Sequence, residues 1–490
     1  MRFISADQLA PSYDVVLAGT GFGSLFFAHK LLDRLPATSK LLFLERGAYR
    51  DHAQRLRDGP RAGTRQSDYV EIRNPAEKNW QFTIGLGGGT LCWWGQSTRF
   101  HPSAFTLKIR HGIARDWPYT YDDLEPYYCE AEHIIGVSGD SDDTQHFPRS
   151  RPYPFPPHVL STPDRLMKAA YPGLHMALPS ARPSVHNDRR SRCCANGNCD
   201  YCPSDAKFTA LNGMGRVLGD PRVSILVDAG VTHFDVANGL ARAVVFVHAG
   251  RERHVGAAHV VLGANALFNP VILAHSGLAH PVLGRRLNDQ VGLLYEVQLS
   301  DVDALDGGSA ATGIFLGGLD PPDRARKGSF VYTFDNRWWV HGLRPDPVKA
   351  RRTFPLVVMI EEEPLFENHV GLSRGALDRP QVNYIESSTY GAAGMRRATE
   401  QLEPLLAPLG LDAIRFADRY RSTGHILGTT MMGDDSAEAI VDADQIHHQV
   451  RNLHVVGTSV FPTCGNYTPA LTVAAMSLRA ADRLTRRGAP

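Results

Sequence analysis

The sequence has almost no net charge: 52 Lys and Arg stand against 51 Asp and Glu, a formal balance of +1. A nucleic-acid footprint, or attraction to an anionic membrane, needs a surplus of basic side chains, so neither partner is indicated. No run of about 18 apolar residues, the length that spans a bilayer, occurs in the sequence. The opening MRFISADQLAPSYDVVLAG lacks the basic region, apolar stretch and cleavage site of a secretory signal. The expected location is therefore cytoplasmic, or periplasmic only if a signal-bearing partner subunit carries the chain there. Internal repeats and low-complexity tracts are also missing. Cysteine is scarce, with 7 in all, and too unevenly placed for a disulfide framework: Cys193, Cys194, Cys199 and Cys202 fall within ten residues, while Cys92, Cys129 and Cys464 are scattered.

What remains is an ordinary globular composition, 43% hydrophobic and 21% charged over 490 residues. That length exceeds one core and implies two lobes. YDVVLA (13–18), a glycine-rich turn, the helical pattern SLFFAHKLLDRL and the apolar run KLLFLE form a βαβ unit with a parallel sheet. HVVLGA (259–264) and NLHVVG (452–457) read as further buried strands. From about 291 to 390 the pattern alternates in LLYEVQL, SFVYTF, PLVVMIEE, HVGLS and VNYIE, which implies an antiparallel sheet. GMRRATEQLEPLLAPL then has helical spacing. Residues 138–165, rich in Pro, Ser and Asp, read as an irregular connector.

The first turn reads Gly19-Thr20-Gly21-Phe22-Gly23-Ser24, after a strand and opening a helix. Gly19 permits the tight turn, and Gly21 lets backbone approach a pyrophosphate seated on the helix N-terminus. Ser24 stands where the usual fingerprint has its third glycine and is small enough for close helix–strand packing. Glu45 ends the second strand, where a carboxylate accepts hydrogen bonds from ribose hydroxyls. The motif fits a dinucleotide but does not separate NAD from FAD.

Three later segments decide between them: GLGGGTLCWWGQSTRFHP (85–102), HILGTTMMGDD (425–435) and NLHVVGTSVFPTCGNYTPALTVAAMSLRAADRL (452–484). With the N-terminal unit they resemble the glucose–methanol–choline (GMC) oxidoreductase family. Within it, RDWPYTYDDLEPYYCEAEHIIGVSGD (115–140) and the cysteine cluster are similar to flavoprotein subunits of gluconate, fructose and glucose dehydrogenases, and more distantly to pyranose oxidase. The resemblance implies an α/β fold: a Rossmann-like FAD-binding domain joined to an α+β substrate domain built on an antiparallel sheet. The expected FAD domain is discontinuous, from residues 11–110, 190–290 and 436–490. Residues 111–189 are the expected connector and lid, 190–205 the cysteine loop and 291–435 the substrate domain. Besides the first turn and Glu45, the residues expected to hold FAD are Gly88, Gly89, Thr90, Trp94, Gly457 and Pro469. Trp93 stands where some family members attach FAD through a histidine, so non-covalent FAD is expected.

The implied activity is oxidation of an alcohol group of a sugar or polyol by hydride transfer to flavin. Loss of the hydride calls for a base to take the hydroxyl proton, and a neutral imidazole suits this. His425 aligns with the family's histidine. The family usually has a second histidine or an asparagine where this chain has Thr468. Thr468 reads either as a donor to the substrate oxygen or as the N-cap of a helix whose first residue is Pro469. Asn466 is a candidate for the missing amide. His447, His448 and His454 read as structural or exposed.

The cysteine cluster has three readings: an iron–sulfur cluster, which the resemblance implies, a zinc site, or no metal. Its last spacing is one residue shorter than in the dehydrogenases it resembles. A cluster would relay electrons to a small partner subunit or a cytochrome. Two rivals are an oxygen-using oxidase of the same fold without a cluster, and a redox-silent or electron-carrying flavoprotein subunit.

Overall fold

The architecture was taken from a computed structural model. It describes residues 1–59, 64–73, 78–197, 199–200, 202–304, 306–336, 347–371, 379–420 and 422–486. Ser12–Ala18 lies between Leu41–Leu44 and Arg251–Leu262; Val223–Leu226 flanks the first of these neighbours and Val450–Val455 the second, all four pairings parallel. Their registers align Leu226, Leu44, Ala18, Leu262 and Val455 in one row. The carboxyl ends of five strands therefore lie on one edge, where doubly wound sheets take their ligands. Val15, Val16, Leu17, Leu41, Leu42, Phe43, Val260, Val261 and Val455 are fully buried, as expected of strands covered on both faces. Ala229–Ala237 and Leu240–His248 extend this sheet as an antiparallel meander onto Arg251–Leu262.

The helix Phe22–Leu31 follows the first strand and is buried along most of its length, because the last helix, Ala470–Arg486, packs across it. A third helix, Tyr121–Ile135, packs on that last helix: Tyr127 Oη donates to Asp482 and Tyr128 Oη bonds Thr472 Oγ1, each at 2.8 Å. Tyr121–Ile135 thus packs as a helix within the stretch expected as connector and lid. Its reading as a connector rested on proline and polar content downstream of this helix, and the helix itself is amphipathic.

A second sheet runs Leu411–Tyr420, Val291–Leu299, Thr353–Ile360, Phe330–Asp335, Ala311–Phe315, His175–Ala177, all antiparallel. Alternation gives it two unlike faces. Phe330, Tyr332, Phe334, Phe354, Leu356, Val358 and Ile360 pack beneath Ala398, Leu402, Leu405 and Leu406. Val357 and Met359 face the other way, with Thr333. The expected strands HVGLS and VNYIE do not join this sheet: Gln381–Asn383 pairs with both His369–Gly371 and Glu71–Arg73 in a separate three-stranded sheet. No helix among the described residues is long and apolar enough to cross a membrane.

Close packing of helix on sheet fixes one position tightly. A Cβ on Gly23 would lie 2.9 Å from Gly457 N and 2.9 Å from Val456 Cγ2. Gly23→Ala is expected to lower the unfolding free energy by about 1–3 kcal/mol, the usual cost of forcing a methyl group into a filled site. Denaturant unfolding of the variant checks this, and an unchanged midpoint would show that the helix yields.

Candidate functional site

A cavity of about 1040 Å³ opens along the carboxyl edge of the parallel sheet and runs to the exposed face of the antiparallel one. Gly19, Gly21, Gly23, Glu45, Gly88, Gly89, Trp94, Gly457 and Pro469 line it, as do His425 and Thr468. Most of the residues singled out in the sequence thus meet around one space, although they come from four distant stretches of chain.

The dinucleotide end is shaped by missing side chains. Gly19 has φ +89, and a Cβ there would sit 2.6 Å from Gly263 O on the neighbouring strand. Gly21 differs: its φ is −77 and a Cβ would meet nothing within 4 Å, because that direction is open cavity. It precedes the helix N-terminus, whose first amides lack intrahelical partners. Ser24 does not line the cavity. It packs where expected, since a Cβ on Gly263 would fall 2.3 Å from Ser24 Oγ. Glu45 is already engaged: Oε2 accepts from Thr20 N at 3.1 Å and Thr20 Oγ1 at 2.5 Å, and Oε1 from Gly47 N at 3.0 Å. Burial pushes its pKa up, opposed by those donors. Thr90 also stays out of the cavity. Its Oγ1 donates to Gly87 O and accepts from Ala210 N, which holds the glycine loop in shape.

The far end is built around His425. The segment carrying it is pinned by a two-way backbone bridge between Asn288 and Leu427, 3.0 Å in each direction. Antiparallel register then sets Gln290 opposite His425. His425 Nδ1 lies 2.6 Å from Gln290 Oε1 and 3.1 Å from Thr423 Oγ1. Burial lowers the imidazole pKa to about 4, with Asp289 opposing the shift and Lys78 adding to it. The ring is therefore neutral at ordinary pH. Gln96, Thr333, Val357, Met359, Tyr420 and Ser422 line this end too.

Two expectations around the last helix are corrected. The helix starts at Ala470, and Pro469 supplies the carbonyl that accepts from Val473 N at 2.9 Å, so Pro469 sits before the helix rather than first in it. Thr468 does not cap it: its hydroxyl donates to Gln96 O at 3.1 Å. That proton is committed, which leaves the oxygen to accept but not to donate. Asn466 is buried with Nδ2 donating to Ser329 Oγ at 3.1 Å and does not line the cavity. His447 and His454 are buried and His448 is part-buried, bonding Gly433 O at 3.0 Å; none lines the cavity.

The four clustered cysteines are not gathered around one point. Among the described residues no three His, Cys, Asp or Glu side chains are placed to hold a metal ion. Cys194 is exposed, Cys193 is half-buried with its thiol 3.7 Å from Ser309 Oγ, and Cys199 and Cys202 are buried. Two buried cations border the loop. Arg182 donates to Ser180 Oγ and Trp94 O; burial works against its charge, but the thiols of Cys199, Cys193 and Cys202 raise its pKa overall. Lys207 donates to Leu91 O, Trp93 O and Asp200 O, and burial lowers its pKa to about 8. Cys199 reaches the cavity wall.

Sequence reasoning missed Gln290, Asp289, Thr423 and Lys78. The one trace they leave is the polar triplet Asn288-Asp289-Gln290 directly before an apolar strand, where a turn would read equally well.

Residues 386–477 match the family model for GMC oxidoreductase, C-terminal part. The chain is 26% identical to the fructose dehydrogenase large subunit of Gluconobacter japonicus, over 96% of this chain and 98% of that one. It is 26% identical to the 6'''-hydroxyparomomycin C oxidase of Streptomyces lividus, over 95% and 90% respectively. Among solved structures, an FAD-dependent oxidoreductase from Chaetomium thermophilum superposes with a TM-score of 0.67 at 16% identity, covering 97% of this chain and 100% of that one.

Because a Cβ at position 21 enters open space, Gly21→Ala should leave the flavin-free protein as stable as the parent, within about 0.5 kcal/mol. The same methyl group occupies room a pyrophosphate needs, so FAD affinity should fall at least about tenfold, or 1.4 kcal/mol. Thermal unfolding of the apoprotein and FAD titration by fluorescence quenching test the two halves separately.

Proposed function

We propose that this chain, which carries the C-terminal domain of the GMC oxidoreductases, oxidises a secondary or primary alcohol of a sugar or polyol. The observation that carries the reading is one cavity joining the glycine turn to His425. FAD fits the dinucleotide end: a Cβ at Gly21 or Gly89 would meet only open space, which leaves room for a pyrophosphate, Glu45 lines the wall where a ribose would lie, and Gly457 and Pro469 border the space ahead of the last helix. When bound, it would supply the acceptor for the substrate's hydride.

The chain's own residues handle the rest. A substrate hydroxyl is seated between the final helix and the sheet face of Thr333, Val357 and Met359. His425 is neutral because it is buried. It takes the hydroxyl proton as the carbon gives up its hydride, so the C–O bond becomes C=O and charge is conserved at every stage. Thr468, its proton committed to Gln96, accepts from a neighbouring hydroxyl rather than stabilising an alkoxide. The N-terminal end of Ala470–Arg486 brings its positive dipole end to the cavity, where it favours negative charge.

A finer reading adds an iron–sulfur cluster at the cysteine loop and a partner subunit or cytochrome beyond it. Four thiols in ten residues, bordered by the buried cations Arg182 and Lys207, supply the donor atoms and the charge complement for an anionic cluster. The name of the Gluconobacter relative, a large subunit, supports a smaller partner. The thiols are not assembled around one point, so no electron step is drawn through them. On this reading purified protein contains iron and acid-labile sulfide beside FAD. Iron-free yellow protein with stoichiometric hydrogen peroxide would remove the cluster and leave an oxidase.

Anaerobic mixing with a panel of D-fructose, D-glucose, D-gluconate and sorbitol should bleach the flavin with at least one of them. His425→Ala should retain FAD yet slow that bleaching by about two to four decades, the usual worth of a general base. An unchanged rate refutes the assignment. The base works in its neutral form and protonates only near pH 4. Wild-type kcat/KM should therefore show no acid limb assignable to this group between about pH 5 and 8, and should fall as pH drops through about 4.

A further inference from the structure

Gln290 is fully buried and every polar atom of its side chain is in use. Nε2 faces three backbone carbonyls of the loop before the last helix: Cys464 O at 3.0 Å, Gly465 O at 2.9 Å and Tyr467 O at 2.6 Å. Carbonyl oxygens only accept, so the NH₂ end of the amide must lie there. The other end, Oε1, can then only accept, and it points at His425 Nδ1, 2.6 Å away.

A second chain of bonds leads to the same conclusion independently. Asp289 accepts from Ser422 Oγ at 2.9 Å, from Thr423 N at 3.1 Å and from the Thr423 hydroxyl. With its proton given to Asp289, Thr423 Oγ1 presents a lone pair to His425 Nδ1 at 3.1 Å. Two acceptors therefore converge on one ring nitrogen, and Nδ1 must carry the proton. Nε2 is left with its lone pair, on a ring that lines the cavity.

We propose that Gln290 is the positioning residue that fixes His425 in the tautomer able to accept a proton at Nε2, and that the same amide ties the ring to the loop 464–467 leading into the last helix. The proposal rests on the reading of His425 as base. In a free imidazole the two neutral tautomers interchange, and the Nε2–H form has no lone pair to offer the substrate. The charged groups acting on the ring are Asp289, immediately before Gln290, and Lys78, whose Nζ lies 3.6 Å from Asp289 and donates to Gln290 O at 3.1 Å. The clamp thus also sets where the base stands relative to Pro469 and Ala470, because the carbonyls it holds lie three to six residues before the helix start at Ala470.

The first test needs no variant at Gln290. In FAD-loaded protein labelled with ¹⁵N at histidine, the ring signals of His425, assigned by their loss in His425→Ala, should show Nδ1 protonated and Nε2 bare at neutral pH. A protonated Nε2 overturns the proposal. The second test is Gln290→Met, which keeps length and volume but has neither donor nor acceptor for these partners. It should mix the tautomers of His425 and lower the limiting rate of flavin reduction by the fastest-reducing panel sugar about 10- to 1,000-fold. That range lies below the loss seen when a catalytic imidazole is held in the wrong tautomer. KM should change little, since Gln290 does not line the cavity. If His425→Ala is slow while Gln290→Met keeps both the parental rate and the parental tautomer, the positioning role fails and the base stands. If His425→Ala keeps the parental rate, the base reading itself has failed.

Discussion

The structure depends on backbone-to-backbone approach at the carboxyl edge of the parallel sheet. Gly19 lies against Gly263, and Gly23 against Gly457. These contacts draw the turn after the first strand, the end of Arg251–Leu262 and the end of Val450–Val455 into one patch. A side chain at Gly19 or Gly23 would push strand ends and helix apart. With them in contact, the helix Phe22–Leu31 presents its amides to the cavity and the last helix packs across its flank.

The antiparallel sheet adds a wall that is chemically different from the first. Its inner face carries Thr333, Val357 and Met359, while the outer face is a dry aliphatic and aromatic core under Leu402–Leu406. One buried ion pair there is held by several bonds: Arg324 forks onto Glu361 at 3.0 and 3.1 Å, and Ser329 and Tyr390 both donate to the same carboxylate. Those bonds keep the Glu361 carboxyl low against the cost of burial. The network also explains why Asn466 is absent from the cavity, since its amide is drawn to Ser329.

How much of this was legible in the sequence follows from distance along the chain. The strand, glycine turn and helix at 12–31 are local, and their pattern states both the fold and the ligand edge. Glu45 and His425 were singled out by motif context, and both line the cavity. Of the two readings of Thr468 the cap fails, because a threonine before a proline is a good cap locally whereas its actual partner, Gln96 O, is 372 positions away. Gln290 left only its place in a polar triplet, for the same reason: its partners are 135 to 177 positions distant and mostly backbone carbonyls, which no residue pattern records. HVGLS and VNYIE alternate as strands do, but alternation does not say which sheet a strand joins.

Alternation along Thr353–Ile360 has a further consequence for diversification. Residues 357 and 359 touch the space where a substrate would lie, while 354, 356, 358 and 360 support the fold from behind. Odd and even positions of one strand thus meet different physical demands. Exchanging the odd set would reshape the cavity wall while leaving the packing behind the sheet untouched.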